Sequence, residues 1–290
     1  MSSTKKEINN NPPKTYKTVL SGGFAGMISK TCTAPLERIQ MCLQTGAIKG
    51  SIPNAVKQIY CEGGIRGFWR GNIANCARVF PHKSILFSMN EVMKSRLSSD
   101  SKFISFITGA FSGLFATTAT YPIDVIRAYL AGTLDKNSDS MLKVSKQIYY
   151  NDGLKGFYKG LLVTCAGAVP YEALRIGVYA YLREYIPLIN TKYGEQPHPI
   201  GKLFAGAVAG ACAGIGTYPT DTIRRMLQVQ SADGMPIYNN VYQCIYINYK
   251  NDGILRFYCG LTAKLVRVIP DAAILFFAYE YLKNIFDDIY

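Results

Sequence analysis

A proline, an acid two residues on, and a basic or strongly hydrogen-bonding residue three beyond that recur three times in this chain. The copies read Pro35-Leu36-Glu37-Arg38-Ile39-Gln40, Pro122-Ile123-Asp124-Val125-Ile126-Arg127 and Pro219-Thr220-Asp221-Thr222-Ile223-Arg224. Each closes a segment rich in Gly, Ala, Ser and Thr. A second pattern follows each copy: Glu62-Gly63-Gly64-Ile65-Arg66-Gly67-Phe68-Trp69-Arg70-Gly71, Asp152-Gly153-Leu154-Lys155-Gly156-Phe157-Tyr158-Lys159-Gly160 and Asp252-Gly253-Ile254-Leu255-Arg256-Phe257-Tyr258-Cys259-Gly260. Two independent patterns in fixed order, three times over, define an internal repeat. By length the 290 residues could form two soluble domains. Three copies of a unit with only two long helices predict instead one pseudo-symmetric body, because such a unit buries little by itself.

Apolar residues make up 49% of the chain and charged residues 18%, below the roughly 25% usual in soluble proteins. That composition leans towards a membrane, yet no segment is a clean apolar run of about 20 residues. Helices with lipid on one side and a water-filled cavity on the other have to be amphipathic, so a transporter is expected to blur the hydropathy signal. A formal charge of +13, from 32 Lys and Arg against 19 acids, fits either a basic surface near anionic lipid or an anion pathway. No nucleic-acid motif or basic stripe accompanies it. Eight cysteines stand singly, without Cys-x-x-Cys or paired His spacing, which argues against zinc and against a disulfide framework. They are expected in the core or the walls. No His-, Ser- or Cys-based constellation with a supporting partner suggests an enzyme.

The polar residues 1–14, ending in Pro12-Pro13, are expected to be a disordered tail without a signal core. Repeats are placed at 15–100, 101–196 and 197–290. Long helices are predicted near 16–43, 72–96, 162–185 and 262–286, with two more through Pro122 and Pro219, and short ones near 54–60, 141–149 and 241–249. Gly22 and Gly26, Gly109 and Gly113, and Gly206, Gly210 and Gly214 stand four apart, a spacing that lets helix backbones approach closely in lipid. The three prolines are expected to kink their helices, leaving acid and base beyond each kink on one face.

Counting seven residues from Gly71, Gly160 and Gly260 reaches Arg78, Gly167 and Arg267, and three further on stand Pro81, Pro170 and Pro270. Seven helical residues rise about 10 Å, roughly a third of a hydrocarbon layer. The prolines keep the symmetry and the residues before them break it. A scaffold residue should recur in each repeat, whereas an asymmetric substrate needs different groups at equivalent positions. The same test selects Lys30 against Thr117 and Gly214, while Thr33, Thr120 and Thr217 are alike and read as structural. Lys30, Arg78 and Arg267 therefore form a candidate cationic site, with Gly167, Ala168 and Tyr171 as a flat wall for a planar ring. The alternative for the arginines is pairing with a buried acid, Glu172 and Asp271 being candidates.

Both patterns, their order and their spacing resemble the mitochondrial carrier family over nearly the whole chain. The resemblance implies an all-α membrane protein of six transmembrane helices in three two-helix repeats, each with a short matrix-side helix. It implies alternating access, a monomer, no cofactor, no metal, and cardiolipin as bound anionic lipid at the glycine patterns. By the family pattern, the base of one repeat meets the acid of the next in a matrix-side ring. That puts Arg127 with Asp221, Arg224 with Glu37 and the neutral Gln40 with Asp124, braced by Gln44 and Gln228. A second, cytoplasmic ring would comprise Glu91, Lys94, Arg183, Tyr279, Glu280 and Lys283. Within the family, Lys30, Arg78, Gly167, Ala168, Tyr171 and Arg267 resemble the nucleotide contacts of ADP/ATP carriers. The third repeat, however, reads Thr222-Ile223-Arg224-Arg225-Met226-Leu227 where those carriers show three arginines. ATP-Mg/phosphate and coenzyme A carriers share the basic contacts and lack the triple arginine. The remaining alternative, a soluble helical-repeat interaction protein, accounts for the repeats alone.

Overall fold

A computed structural model describes residues 12–96, 102–134, 140–186, 188–191, 194–197, 199–230, 232 and 237–289. The expected tail up to residue 11 lies outside them. The first repeat comprises α1 (Pro12–Thr45), α2 (Ile52–Gly63) and α3 (Asn72–Arg96). The second has α4 (Lys102–Gly132), α5 (Met141–Gly156) and α6 (Leu161–Arg183). The third has α7 (Pro199–Gly216), α8 (Tyr218–Val229), α9 (Val241–Asp252) and α10 (Leu261–Ile289). Between the second and third repeats, Leu188–Thr191 and Gly194–Pro197 form an antiparallel hairpin, a departure from the all-helical expectation.

The three prolines do not act alike. Proline removes a backbone hydrogen bond and crowds the preceding turn. Even so, α1 and α4 run on through Pro35 and Pro122, whereas the third helix divides at Thr217, whose φ of −99° and ψ of 5° separate α7 from α8. The threonine two residues before each proline does behave identically. Thr33, Thr120 and Thr217 each donate to the carbonyl four residues back, on Ser29, Ala116 and Ala213, at 2.8 Å.

Around the bundle α1 packs on α3, α3 on α4, α6 on α7 and α10 back on α1, while α1, α4 and α8 converge at the proline end. The core follows the same three-fold plan. One cluster joins Ile39, Cys42 and Leu43 of α1 to Ala55 and Ile59 of α2 and Ala263 of α10. A second joins Tyr121, Val125 and Tyr129 of α4 to Val144 and Ile148 of α5 and Ala74 of α3. The third joins Ile223, Met226 and Leu227 of α8 to Cys244 of α9, with Val163 of α6 against it. Each odd helix is thus wedged between its own short helix and the preceding repeat's even helix. Met41, Ala128, Ala131 and Val229 fill the axis. Burial pushes the Cys244 thiol up to about 12; Cys32, Cys61 and Cys212 are instead exposed, outside any core.

The wedge requires three glycines. Gly71, Gly160 and Gly260 have φ of +86°, +81° and +84°, a region that L side chains rarely adopt. A Cβ on Gly71 would lie 3.2 Å from the Ala131 backbone nitrogen, one on Gly160 3.2 Å from the Arg224 carbonyl, and one on Gly260 2.9 Å from the Gln40 carbonyl. Each glycine therefore seats an even helix directly on the next repeat's odd helix.

Of the seven four-spaced glycines, Gly26 and Gly214 have a neighbouring helix close by, with Val79 of α3 at 3.5 Å and Lys264 of α10 at 3.7 Å from their Cβ positions, and the other five do not. Nothing lies within 4 Å of where a Cβ would stand on Gly22, Gly109, Gly113, Gly206 or Gly210. They are not helix-packing points in this conformation, because the buried stripes of these helices run instead through Ser21, Ala25 and Ser29 of α1, Thr108, Ser112 and Ala116 of α4, and Ala205, Ala209 and Ala213 of α7. Gly23 does mediate close approach: a Cβ there would meet the Phe80 ring at 2.4 Å.

Large apolar side chains face outward on the flanks, among them Leu162, Val169, Phe204, Ile269 and Phe277, each at least 70% exposed. Among the described residues α6 alone is long and apolar enough to cross a membrane by hydropathy.

Candidate functional site

The charges meet at the proline end, and they meet in the opposite sense to the one expected. Arg127 pairs with Glu37, the acid of the preceding repeat. Arg224 Nη2 lies 2.5 Å from Oδ2 of Asp124, again the acid of the preceding repeat. The expected pairs of Arg127 with Asp221, Arg224 with Glu37 and Gln40 with Asp124 are replaced. Three residues turn an α-helix through about 300°, so the base stands only about 60° from the acid. Spacing leaves open which neighbour it faces. The sense is set by the even helices, which seat α3 on α4 and α10 on α1.

Asp124 is fully buried and is the hub. Besides Arg224 it receives Arg78 Nη1 at 2.8 Å, Gln228 Nε2 at 3.0 Å, Arg225 Nη1 at 3.3 Å and Arg127 Nη1 at 3.5 Å. Burying one carboxylate among several arginines is tolerable only because the charges and hydrogen bonds compensate its lost hydration. Glu37 receives Arg267 Nη1 and Asn75 Nδ2, each at 3.2 Å, in addition to Arg127.

The third link differs. Gln40 donates weakly to Gln44 Oε1 at 3.4 Å, and its own Oε1 is buried without a hydrogen bond. Asp221 turns to Lys264 of its own repeat, with Nζ to Oδ2 at 2.8 Å, and remains 44% exposed.

Both glutamines bridge from their own helix to the preceding repeat, as braces. Gln228 Nε2 donates to the Tyr121 hydroxyl at 3.1 Å as well as to Asp124, and Gln44 hydrogen-bonds the Tyr218 side chain. At the equivalent place in the second repeat stands Ala131, which packs on Gly71.

At the opposite end Glu91, Arg183, Glu280 and Lys283 are exposed and Tyr279 is half-buried. None makes an ion pair among the described residues; the Lys94 side chain lies outside them. In this conformation one end of the bundle is ionically tied, and among the described residues the other is not.

Each of the three expected cations has an acid, though not the one foreseen for the arginines. Arg78 is on Asp124 and Arg267 on Glu37. Lys30 Nζ lies 2.6 Å from Asp271 Oδ2, and Ser29 Oγ donates to Asp271 Oδ1 at 2.6 Å. Glu172 pairs with Arg175 on the exposed face of α6.

A cavity of about 520 Å³ opens between α6, α7, α8 and α10. Gly167, Ala168 and Tyr171 form one wall of it. Gly206, Gly210 and Gly214 line another, which accounts for the open space beside the first two. A side chain at 167 would collide with Thr220, whose Oγ1 lies 3.0 Å from the Cβ position. The cations in the lining are Arg224 and Lys264 rather than Lys30, Arg78 and Arg267.

Lys264, Arg225 and Arg256 were thus missed, although each breaks the repeat. Lys264 is the fourth residue after its helix-opening glycine, where Asn75 and Thr164 stand in the other copies. Arg225 follows the ring base, where Met41 and Ala128 stand. Arg256 replaces Gly67 and Gly156, and its Nη1 and Nη2 donate to the Leu43 and Gln44 carbonyls at 3.1 and 3.0 Å, capping α1. The asymmetry test used on the seventh residue would have found all three if applied at every position.

A family model described as mitochondrial carrier protein matches residues 11–101, 98–189 and 195–289, one match per repeat. The chain belongs to the mitochondrial carrier family and is a transporter, not an enzyme. It is 35% identical to mitochondrial substrate carrier family protein P of Dictyostelium discoideum, over 94% of this chain and 95% of that protein. It is 31% identical to a mitochondrial adenyl nucleotide antiporter of Xenopus laevis, over 92% of this chain and 58% of that protein. Similarity also extends to calcium-dependent mitochondrial ATP-magnesium/phosphate carrier protein 3 of Arabidopsis thaliana, at 29% identity over 93% of this chain and 57% of that protein. The chain therefore spans little more than half the length of the last two.

Proposed function

We infer that this carrier exchanges adenine nucleotides, ADP for ATP, across the inner membrane of a mitochondrion or related organelle. It spans that membrane with six helices (α7 and α8 counting as one) and works by alternating access. The observation that carries the reading is the cavity itself. Its volume of about 520 Å³ has Gly167, Ala168 and Tyr171 in one wall for a planar base, with the cations Arg224 and Lys264 in the same lining. Lys30, Arg78 and Arg267 are the further phosphate contacts. In this conformation they are bound to Asp271, Asp124 and Glu37, and an entering oxyanion competes with those carboxylates. The ring around Glu37, Asp124 and Asp221, with Gln40, Arg127 and Arg224, acts as the matrix gate. The exposed set at the other end forms the cytoplasmic gate when the carrier turns. Outward-facing apolar side chains on α3, α6, α7 and α10 support the spanning assignment. Cardiolipin headgroups would bind at the turns marked by the positive-φ glycines Gly64, Gly153 and Gly253.

Uptake by proteoliposomes preloaded with ADP, ATP, AMP, phosphate or coenzyme A tests the reading. ADP and ATP are expected to exchange for each other, and detergent is expected to be needed for extraction. Malate or oxoglutarate exchange without nucleotide exchange would refute the substrate assignment. A second reading, ATP-Mg against phosphate, is favoured by the absence of a third arginine after Arg225. Phosphate-loaded vesicles taking up ATP only with magnesium would select it.

A further inference from the structure

We propose that Lys264 is a phosphate-contacting, specificity-determining residue of the cavity, and that Asp221 holds its ammonium in place until the ligand arrives. The inference deepens the nucleotide reading and rests on it for the organic part of the ligand. The contact itself requires only a phosphate oxyanion.

The three-fold comparison comes first. At the fourth position after the helix-opening glycine, Asn75 donates to Glu37 at 3.2 Å, and Thr164 shares a 3.1 Å hydrogen bond with the Tyr121 hydroxyl. These are scaffold contacts, and neutral side chains suffice for them. Lys264 brings a full charge to the same depth, which hydrogen bonding to the scaffold does not require.

The space around Lys264 is the second observation. Gly214 occupies the place held by Lys30 in the first repeat and Thr117 in the second. The Cε and Nζ atoms of Lys264 lie 3.7 Å from where a Cβ on Gly214 would stand. The end of the lysine fills the room that the missing side chain leaves. In this way α10 supplies the third repeat with the cation that α1 supplies in the first.

Third, the acid of this pair is accessible where the other two ring acids, Glu37 and Asp124, are sealed. Lys264 Nζ is 2.8 Å from Asp221 Oδ2 and 5.0 Å from the centre of the Tyr218 ring. The Asp221 carboxylate is 44% exposed, against none for Asp124. Lys264, Asp221 and Arg224 line the same cavity as Gly167, Ala168 and Tyr171. A phosphate entering there exchanges one anionic partner of Lys264 for another, so no unpaired charge is left buried. The ammonium is a compact cation with three donors and can follow the ligand.

The test uses the full-length carrier in detergent, with thermal stabilisation by inorganic pyrophosphate and by ADP as the readout, since a ligand that prefers the folded state raises the midpoint. Lys264→Asn, which installs the residue of the first repeat, is expected to raise the half-saturating concentration of both probes about tenfold, the loss of one charge-assisted hydrogen bond. Lys264→Arg should restore most of the affinity. Asp221→Asn should lower the half-saturating concentration, because it removes the competing carboxylate and keeps the lysine. A purely structural pair would make Lys264→Asn and Asp221→Asn move the same way, and that result overturns the proposal. So does unchanged affinity in Lys264→Asn, or a wild type that pyrophosphate does not stabilise. Should Lys264→Asn not fold, Asp221→Asn decides: unchanged or weaker pyrophosphate binding defeats the inference. Failure of the nucleotide reading looks different, as vesicles that exchange no ADP or ATP while pyrophosphate binding still depends on Lys264.

Discussion

The seam between the second and third repeats and the seam between the third and first do the same job with different chemistry. Across the former, a sealed carboxylate, Asp124, gathers Arg224, Arg225 and Gln228 from the next repeat. Across the latter no ring base meets a ring acid, because Gln40 faces Gln44 and Asp221 keeps to its own repeat; the ring acid Glu37 is reached there by Arg267 of α10 at 3.2 Å. That seam is closed from its two edges instead. Arg256 caps the last carbonyls of α1 at one edge, and Lys30 and Ser29 hold Asp271 at the other. Three-fold pseudo-symmetry thus constrains where helices lie and leaves open which contacts bind them.

The comparison is sharpest at its acids. Asp124→Asn leaves Arg78, Arg224 and Arg225 without their counter-charge in a buried site. Removing one partner from such a network costs about 3–5 kcal/mol, so the thermal midpoint of the purified carrier should fall steeply. Asp221→Asn, at the open seam, should cost under about 1 kcal/mol because its carboxylate is half in water. Equal losses at the two positions would erase the distinction between sealed and open links.

Arg256→Gly, the residue both other repeats carry at that place, removes two hydrogen bonds from the end of α1. A loss of about 1–3 kcal/mol is expected, given charged donors on buried carbonyls. Calorimetry of the variant against wild type measures it, and an unchanged midpoint would show that the edge clamp does not hold the seam.

Gln40→Lys should have the smallest effect, a gain of no more than about 1 kcal/mol from a new cation facing Asp221 across the seam. A raised midpoint would convert the third link to the chemistry of the other two. If Gln40→Lys leaves the midpoint unchanged while Gln40→Ala lowers it, the glutamine contributes through Gln44 and the ring is complete with two charged links.

Much of this was legible in the chain because repetition substitutes for an alignment. The even helices and the position of Gly167 followed from counting between recurrent glycines and prolines. The direction of pairing around the ring did not follow, since Arg127 faces Glu37 rather than Asp221 by virtue of how α3 packs on α4. Nor did the partners of Arg78 and Arg267, whose acids, Asp124 and Glu37, lie on other helices and carry a ring role of their own. Lys264 went unseen for a different reason: its significance depends on two neutral departures elsewhere, Gln40 and Gly214, that only become a vacancy and a socket once the helices are packed.

The glycines with nothing beside them mark out clearance. Gly22, Gly109, Gly113, Gly206 and Gly210 lie on α1, α4 and α7 beside the buried stripes rather than in them, and nothing stands within 4 Å of where a Cβ on any of them would be. If the carrier works by alternating access, as proposed, that clearance is room for the stroke: space into which a neighbouring helix can travel before it meets backbone. A methyl group added at any of them touches nothing in the present conformation, so it leaves this end of the cycle undisturbed while shortening the travel available to the other.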